Sequence, residues 1–176
     1  MKALTVVTAA LVLVGVSVWA QMMSDEDTVT QLFQEVSEAV YTNWAFQPGV
    51  PEGYYVGQQP HGLVLRSYAN DIALEGVGSG ADAFPEGSII VKENHMPGDV
   101  DTASMEPQAP VAEFKGQLDA ITYMVKMPGY NPDAGDWFWA KIQPGGAIDV
   151  AGKGAGCIGC HTQVAENDYV FNSSLK

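Results

Sequence analysis

Apolar and polar positions recur with two different periods along the chain, and each period predicts one kind of element. After the segment Ser24 to Asp27, apolar residues follow one another at helical spacing: Val29, Leu32, Phe33, Val36, Val40 and Trp44. Ser24 offers a side-chain oxygen for a helix cap, and the acidic residues behind it favour a first helical turn. The pattern predicts one amphipathic helix at the start of the folded domain.

From residue 63 onward the period changes to two. Four short segments are rich in β-branched and aromatic residues and are bounded by turn formers: Leu63 to Tyr68, Ser88 to Asn94, Asp119 to Met127 and Trp137 to Ile142. Such segments are typical of strands. Gly, Pro and other turn-forming or aperiodic residues dominate 47–62, 96–113 and 128–136, which predicts loops there. We expect an α+β fold, a single domain dominated by an antiparallel β-sheet.

The net charge of the chain makes one class of binding partner unfavourable. The chain has 176 residues, a length typical of one domain, with 8 Lys and Arg against 21 Asp and Glu and a formal net charge of −13. A phosphate backbone would be repelled by most of such a surface. We therefore expect no nucleic-acid partner.

The first twenty residues differ from the rest of the chain. Lys2 is their only charged residue, Ala3 to Val18 is almost entirely apolar, and Val18-Trp19-Ala20 supplies small-residue spacing before Gln21. This arrangement predicts a signal peptide at 1–20 and an exported, periplasmic domain at 21–176. An uncleaved N-terminal membrane anchor is the alternative interpretation.

The two cysteines of the chain stand in Cys157-Ile158-Gly159-Cys160-His161. This spacing is typical of c-type haem attachment. On a short helix the two sulfurs share a face, where each can form a thioether with a haem vinyl group, and His161 is placed to bind the iron. A Cys157–Cys160 disulfide is the main alternative, because a thioredoxin-like setting or a fourth zinc ligand is not evident. We predict one covalently bound c-type haem on a short C-terminal helix.

A second iron ligand is harder to find. Small helical cytochromes c take their second iron ligand from downstream of the haem motif, but residues 162–176 contain neither Met nor His. The available donors therefore lie upstream of the motif: His61, His95, Met96, Met105, Met124 and Met127. Each has a plainer interpretation as a core or loop residue, and His61 is interpreted as a loop residue bonded to backbone. The sequence therefore predicts an open iron site, which favours binding of small molecules.

Several segments in fixed order resemble the cytochrome P-460 family. They are Pro60-His61-Gly62, Phe84 to Glu93, Gly129 to Pro132, Gly135 to Trp139 and the late haem motif. The likeness covers nearly all of the domain at 21–176 and implies a β-rich, periplasmic, homodimeric protein with one haem. It also implies one of two activities. Cytochrome P-460 itself oxidises hydroxylamine at a five-coordinate haem that a lysine cross-links, whereas the related cytochrome c-prime-beta proteins bind nitric oxide without that oxidation.

Lys92 matches the cross-linking lysine of the family. Strand alternation places Lys92 on one face with Ile90 and Asn94, and Val91 and Glu93 on the other. A lysine that faces inward loses hydration, which lowers its pKa and leaves a nucleophilic amine. From the residues alone, a solvated strand lysine is the alternative.

Arg66 matches an arginine that lines the distal pocket in the family. Its guanidinium could hold a haem propionate, a water or a substrate, and a surface ion pair is the alternative. Hydroxylamine oxidation also needs a proton acceptor, for which active members use a carboxylate shortly before the haem cysteines. Residues 152–156 contain no acid here, and Asp149, Asp136 or Glu93 remain as alternatives.

The combined expectation is an oxidoreductase in which His161 holds the iron, Lys92 and Arg66 assist the chemistry, and electrons pass to a protein such as a soluble cytochrome. Hydroxylamine is the expected substrate and nitric oxide a related ligand. The alternative is a non-enzymatic nitric oxide carrier or sensor, or a simple electron-transfer cytochrome. The acidic surface suggests a basic redox partner.

Overall fold

The computed structural model describes residues 24–37, 41–171 and 175. The predicted signal peptide at 1–20 lies outside this part of the chain. Within it, no helix combines the length and the apolar character needed to span a bilayer.

Three helices occur among the described residues: α1 Asp25–Ser37, α2 Asp71–Ser79 and α3 Ala155–His161. The backbone N–H of Asp27 donates to Ser24 Oγ at 3.1 Å, which supplies the predicted cap of α1. The helix pattern reached Trp44, but α1 ends at Ser37, Val40 lies outside the described residues, and a 3-10 turn occupies Tyr41–Asn43. The predicted N-terminal helix is thus confirmed and its extent corrected.

Eight strands form one sheet in the described part of the chain: β1 Ala45–Phe46, β2 Tyr54–Val56, β3 Val64–Ala69, β4 Ile89–His95, β5 Pro110–Val111, β6 Leu118–Lys126, β7 Trp137–Ile142 and β8 Ile148–Gly152. The order is β5-β2-β3-β4-β6-β7-β8, with β1 also paired to β3, and every pairing is antiparallel. The predicted α+β class is confirmed. The four predicted strands are β3, β4, β6 and β7, which form the centre of the sheet.

Departures from the sequence prediction occur at β1, β2, β5, β8 and α2. Strand β2 lies inside the predicted loop at 47–62, β5 lies inside the predicted excursion at 96–113, and β1, β8 and α2 were not predicted. The loop prediction for 47–62 was wrong at β2 because pairing with β3 and β5 supplies the backbone hydrogen bonds that the local Gly and Pro residues disfavour.

The sheet buries a different cluster on each face. One cluster contains Val29 of α1 together with Tyr68, Val91, Tyr123 and Phe138. We call this side the helix face. The opposite cluster contains Ile90, Met124, Trp137, Trp139 and Val170, and partly buried Cys157 packs against it. We call this second side the cavity face, because a cavity lies between its central strands and the C-terminal segment.

Candidate functional site

A cavity of about 410 Å³ lies between the cavity face of the sheet and the segment that contains α3. This volume falls in the usual range for small-molecule and cofactor sites. Its described lining is Gln47, Pro60, His61, Ile90, Lys92, Asn94, Thr122, Tyr123, Met124, Trp139, Ala140, Lys141, Val150, Gly156, Cys157, Cys160, His161, Val170 and Phe171. None of these residues is Asp or Glu, so the charged side chains of the wall are those of lysines.

Cys157 and Cys160 lie three residues apart on α3, which places both sulfurs toward the same side of this helix of about two turns. Both line the cavity, and both thiols are free. The disulfide considered from the sequence is therefore not formed in this structure. Two thiols that face one cavity are available for two thioether bonds.

His161 ends the same helix and is buried. Its Nδ1 lies 2.7 Å from the backbone carbonyl of Tyr169, and since a carbonyl only accepts, Nδ1 carries the proton. Nε2 is left with its lone pair. The ring makes edge contacts with Trp139 at 4.6 Å and Phe171 at 5.0 Å between centroids. Burial, and next the charge of Lys92, lower the pKa of His161 to about 4, so the imidazole is neutral at pH 7, as metal binding requires.

The Tyr169 carbonyl is itself fixed in place. Asp168 and Tyr169 both have positive φ, +51° and +65°, an uncommon conformation for residues other than glycine. Bonds from two strands of the sheet help to hold this turn: Lys126 Nζ donates to Asp168 Oδ1 at 2.6 Å, and Trp137 Nε1 donates to the Asp168 carbonyl at 2.7 Å. The sheet thereby orients the carbonyl that orients His161.

The donor set fits a covalently attached haem. Cys157 and Cys160 would hold its vinyl groups, and His161 would bind the iron through Nε2. Trp139 Nε1 is buried in the cavity wall without a hydrogen-bond partner, which leaves a donor for an acceptor on a bound group. Lys92 and Lys141 on the wall match the negative charge of propionates.

A model of the family described as Cytochrome P460 matches residues 40–172, more than half of the chain. The chain belongs to the cytochrome P460 family. Membership in this family implies a haem, and Cys157 and Cys160 are compatible with c-type attachment. No protein with a curated description matches the chain.

Lys92 occupies the position in this cytochrome P460 fold that strand alternation predicts. Ile90, Lys92 and Asn94 all line the cavity, and Lys92 pairs in register with Ser67 of β3 and Thr122 of β6. Burial lowers the pKa of Lys92 to about 8, although the Cys160 thiol opposes this shift. Among the described residues no carboxylate forms an ion pair with Lys92.

Arg66 lies elsewhere. It pairs in register with Glu93, so it points to the helix face, opposite to Lys92. Arg66 Nε donates to Glu93 Oε2 at 2.9 Å, and its guanidinium lies over the rings of Tyr54 and Tyr68 at 4.7 and 5.3 Å. The predicted place of Arg66 in the distal pocket is wrong for this structure, and the ion-pair alternative describes it.

The three acids considered as proton acceptors also lie outside the cavity lining. Glu93 is buried on the helix face, where bonds from His95 and Arg66 outweigh the effect of burial and lower its pKa. Asp136 accepts from the backbone N–H of Asn131 at 2.9 Å and stabilises a turn. Asp149 is exposed.

His61 is a cavity residue that the sequence interpretation set aside. Its Nδ1 bonds to Asn94 Oδ1 at 3.1 Å, a side-chain partner in place of the expected backbone one. A Cβ at Gly62 would approach His95 N to 2.9 Å, so glycine is needed for the loop to lie this close to β4. Gly62 is the feature of the sequence that could have indicated a close contact of this loop. The residue that it contacts, His95 on β4, is distant in sequence, so the contact could not be predicted.

Proposed function

We propose that the protein is an exported c-type cytochrome that oxidises hydroxylamine at a haem bound in the cavity. The observation that carries this proposal is Lys92, an amine without an ion-pair partner among the described residues, on the same wall as Cys157, Cys160 and His161. A structural lysine in such a place would be expected to have a carboxylate partner.

The haem, His161 and the apolar wall of the cavity would each contribute a separate function. The haem iron, when bound, supplies a coordination position for nitrogen and accepts electrons. His161 presents Nε2 to that iron, because the Tyr169 carbonyl holds Nδ1–H. Ile90, Met124 and Val170 form apolar wall that limits water around the substrate.

Lys92 is suited to the lysine cross-link. With a pKa near 8 in place of 10.5, the neutral amine is roughly 300-fold more abundant at pH 7. A neutral amine is the nucleophilic form. We propose that Lys92 bonds to a ring carbon of the haem during maturation and changes the electronic structure of the ring. An N–H and a C–H bond are lost, one N–C bond forms, and the two electrons and two protons released pass to an external oxidant.

The cross-link is tested on holoprotein from its native export route. We expect a red-shifted ferrous absorption band, and a tryptic map in which Lys92 remains attached to the haem peptide. Lys126 is the matched control, because it is also a strand lysine of the cavity face but is paired with Asp168, and its peptide should be free. An ordinary c-type spectrum together with a free Lys92 peptide would exclude the bond.

A second candidate function is supported by the missing carboxylate. Since no described residue of the cavity lining is Asp or Glu, the site lacks an evident acceptor for the protons that hydroxylamine oxidation releases. Binding of nitric oxide, or electron transfer alone, needs no such acceptor. Steady reduction of an artificial electron acceptor by hydroxylamine would favour the enzyme, and nitric oxide binding without turnover would favour the carrier or sensor.

The proposed setting is the periplasm, with a homodimer as the assembly and a basic soluble cytochrome as redox partner. The net charge of −13 supports a positively charged partner. Electron transfer to such a partner should slow as salt is added, because screening weakens attraction between exposed charges. Sedimentation at several protein concentrations tests the dimer.

A further inference from the structure

Residues 131–136, which we call the β6–β7 turn, overlap segments that resemble the cytochrome P-460 family, but none of them lines the cavity. The backbone of this turn closes on itself, since Asp136 N donates to the Asn131 carbonyl at 2.8 Å and Asn131 N donates to Asp136 Oδ1 at 2.9 Å. Gly135 has a φ of +64°, in the left-handed region that favours glycine. A turn held in this way is suited to support a neighbouring segment.

The segment that the β6–β7 turn supports is the pair Asp168 and Tyr169. A Cβ at Gly135 would lie 2.8 Å from Asp168 Oδ1 and 2.9 Å from Tyr169 Cδ2, so only glycine allows the two segments to lie this close together. Lys126 Nζ donates both to the Gly135 carbonyl and to the Asp168 carboxylate. Tyr169 Oη donates to the Asp133 carbonyl at 3.1 Å. The turn therefore contacts both residues that precede and present the Tyr169 carbonyl.

Trp137 follows the β6–β7 turn directly and is fully buried. Its Nε1 donates to the Asp168 carbonyl at 2.7 Å, and the backbone N–H of Phe84 donates to Asp168 Oδ2 at 2.8 Å. Asp168 is thus bound through its backbone and through its side chain. Because Tyr169 is the next residue, these bonds fix the peptide whose carbonyl faces His161.

The Tyr169 carbonyl affects how strongly His161 donates electron density through Nε2. A carbonyl that accepts a hydrogen bond from Nδ1–H raises the basicity of the other ring nitrogen. The bond of 2.7 Å is shorter than the usual N–H···O distance of about 2.9 Å. With a haem bound, a more basic imidazole stabilises ferric iron relative to ferrous iron and lowers the reduction potential.

We propose that Gly135 and Trp137 are positioning residues for His161. They hold Asp168 and Tyr169 in the conformation that keeps the carbonyl on Nδ1–H, and through this bond they set the donor strength of the imidazole and the reduction potential of the iron. This role depends on the haem of the proposed function but on no particular substrate. It gives the β6–β7 turn a function at the iron although the turn lies outside the cavity.

Trp137→Phe tests the role of the indole, because it removes the donor to the Asp168 carbonyl and keeps a buried aromatic ring. The measurements are the iron–histidine stretching frequency in the resonance Raman spectrum of the ferrous holoprotein and the midpoint potential. We expect a lower frequency. At a fixed solution potential the ratio of ferrous to ferric haem should rise at least ~10-fold, which corresponds to a midpoint about 59 mV higher.

Phe138→Leu is the matched control for Trp137→Phe. Phe138 is the next residue of β7 and is equally buried, but it packs on the helix face. It reports the effect of loosening the strand without touching Asp168. Its iron–histidine frequency and its midpoint potential should equal those of the unaltered protein.

Gly135→Ala tests the turn independently. The added methyl group presses on Asp168 and Tyr169, so the iron–histidine frequency should again fall and the midpoint potential should rise. Gly53→Ala is its control, because Gly53 also has a positive φ, +82°, but an added Cβ there meets no atom within 4 Å. This control shares the backbone strain and should leave both measurements unchanged.

The unaltered holoprotein provides a test that needs no variant. The Nδ1–H proton of His161 should exchange slowly with solvent deuterium in the NMR spectrum of the ferrous protein, because the carbonyl that holds it is fixed. Rapid exchange, unchanged frequency and potential in Trp137→Phe, or equal shifts in Phe138→Leu would overturn the proposal. Absence of hydroxylamine turnover would count against the proposed function only, whereas mature protein without haem would overturn both.

Discussion

Lys92 and Glu93 are neighbours on the central strand β4, but the two faces of the sheet treat their charges in opposite ways. On the helix face, Glu93 accepts hydrogen bonds from Arg66, His95 and Tyr41. On the cavity face, Lys92 has no ion-pair partner among the described residues and lines the cavity. A fully paired buried charge is a structural feature, whereas an unpaired one beside a cavity is a feature that chemistry can use.

The type of residue does not explain this difference, because another lysine on the cavity face is fully paired. Lys126 lies on the neighbouring strand β6, and its Nζ contacts both carboxylate oxygens of Asp168 and the Gly135 carbonyl. Lys141, which also lines the cavity, is paired with Asp149, so among the described lysines of this face Lys92 is the unpaired one. Lys126 fixes the segment that presents His161, and Lys92 faces the space beside it.

The largest effect is expected from Asp168→Ala, which removes the partner of Lys126. Breaking a buried ion pair leaves an uncompensated charge and should lower the free energy of unfolding by about 4 kcal/mol. Denaturant unfolding of the holoprotein measures it. Asp149→Ala is the control, because the Asp149–Lys141 pair is more than one-third exposed on both sides and should change stability by less than about 1 kcal/mol. Equal losses in the two variants would contradict the assigned importance of the buried pair.

Glu93→Ala tests the helix face directly. It leaves Arg66 and His95 without their acceptor and should cost about 3 kcal/mol of unfolding free energy. The haem absorption spectrum should not change, because Glu93 points away from the cavity. A shifted haem absorption spectrum together with an unchanged free energy of unfolding would contradict the assignment of Glu93 to the helix face.

Acid should destabilise the haem-free protein through the cavity face. The folded pKa of His161 is about 4, below its ordinary value of 6.5, so the unfolded chain binds more protons between these pH values. His161 should therefore contribute a fall of about 3 kcal/mol in the free energy of unfolding as pH drops from 6.5 to 4, and His61, whose pKa burial lowers to about 3, should contribute a similar amount. Urea titrations across this range measure the loss, and His161→Gln should remove about half of it. A loss that is unchanged in the variant would show that His161 does not contribute.

A carboxylate can be supplied to the cavity at Gly156. A side chain added there meets no atom within 4 Å, and Gly156 lines the cavity. Gly156→Glu should raise hydroxylamine turnover by at least ~10-fold, which is less than the roughly 100-fold at the low end for a well-positioned general base. Gly159→Glu is the control on the same helix, with equally open surroundings but outside the lining. Equal rates in both variants would argue against a missing proton acceptor.

The smallest stability effect is expected from Lys92→Met. Removing an unpaired buried amine should change the free energy of unfolding by less than about 1 kcal/mol, because no partner is left unsatisfied. The ferrous absorption band should lose its red shift at the same time. Lys126→Met provides the contrast. It leaves the buried Asp168 carboxylate without its ion-pair partner and should strongly lower the free energy of unfolding. A large stability loss in Lys92→Met would mean that Lys92 has a structural function.

Local patterns predicted the parts of the fold that depend on single strands. The period of two identified the four central strands and placed Lys92 with Ile90 and Asn94 on one face, as the structure does. The side on which Arg66 falls could not be predicted, because it depends on its register opposite Glu93 on another strand.

The contacts of the site that join distant segments of the chain could not be predicted from the sequence either. His61 is held by Asn94, 33 positions later, and the Tyr169 carbonyl is held by β6 and β7 through Asp168. Strand β8 was missed because a glycine-rich stretch adjoins it and because its pairing with β7 shifts register between Lys141 and Ile142. The cysteine motif was recognisable because its chemistry depends only on spacing within one helical turn.

The C-terminal segment contains both thiols, the proximal histidine and the carbonyl that orients it, all within residues 157–169. Every group that the proposed haem would need for covalent attachment and iron binding therefore belongs to one short peptide. The Lys126–Asp168 ion pair connects that peptide to strand β6, so a buried contact links the haem-attachment segment to the centre of the sheet.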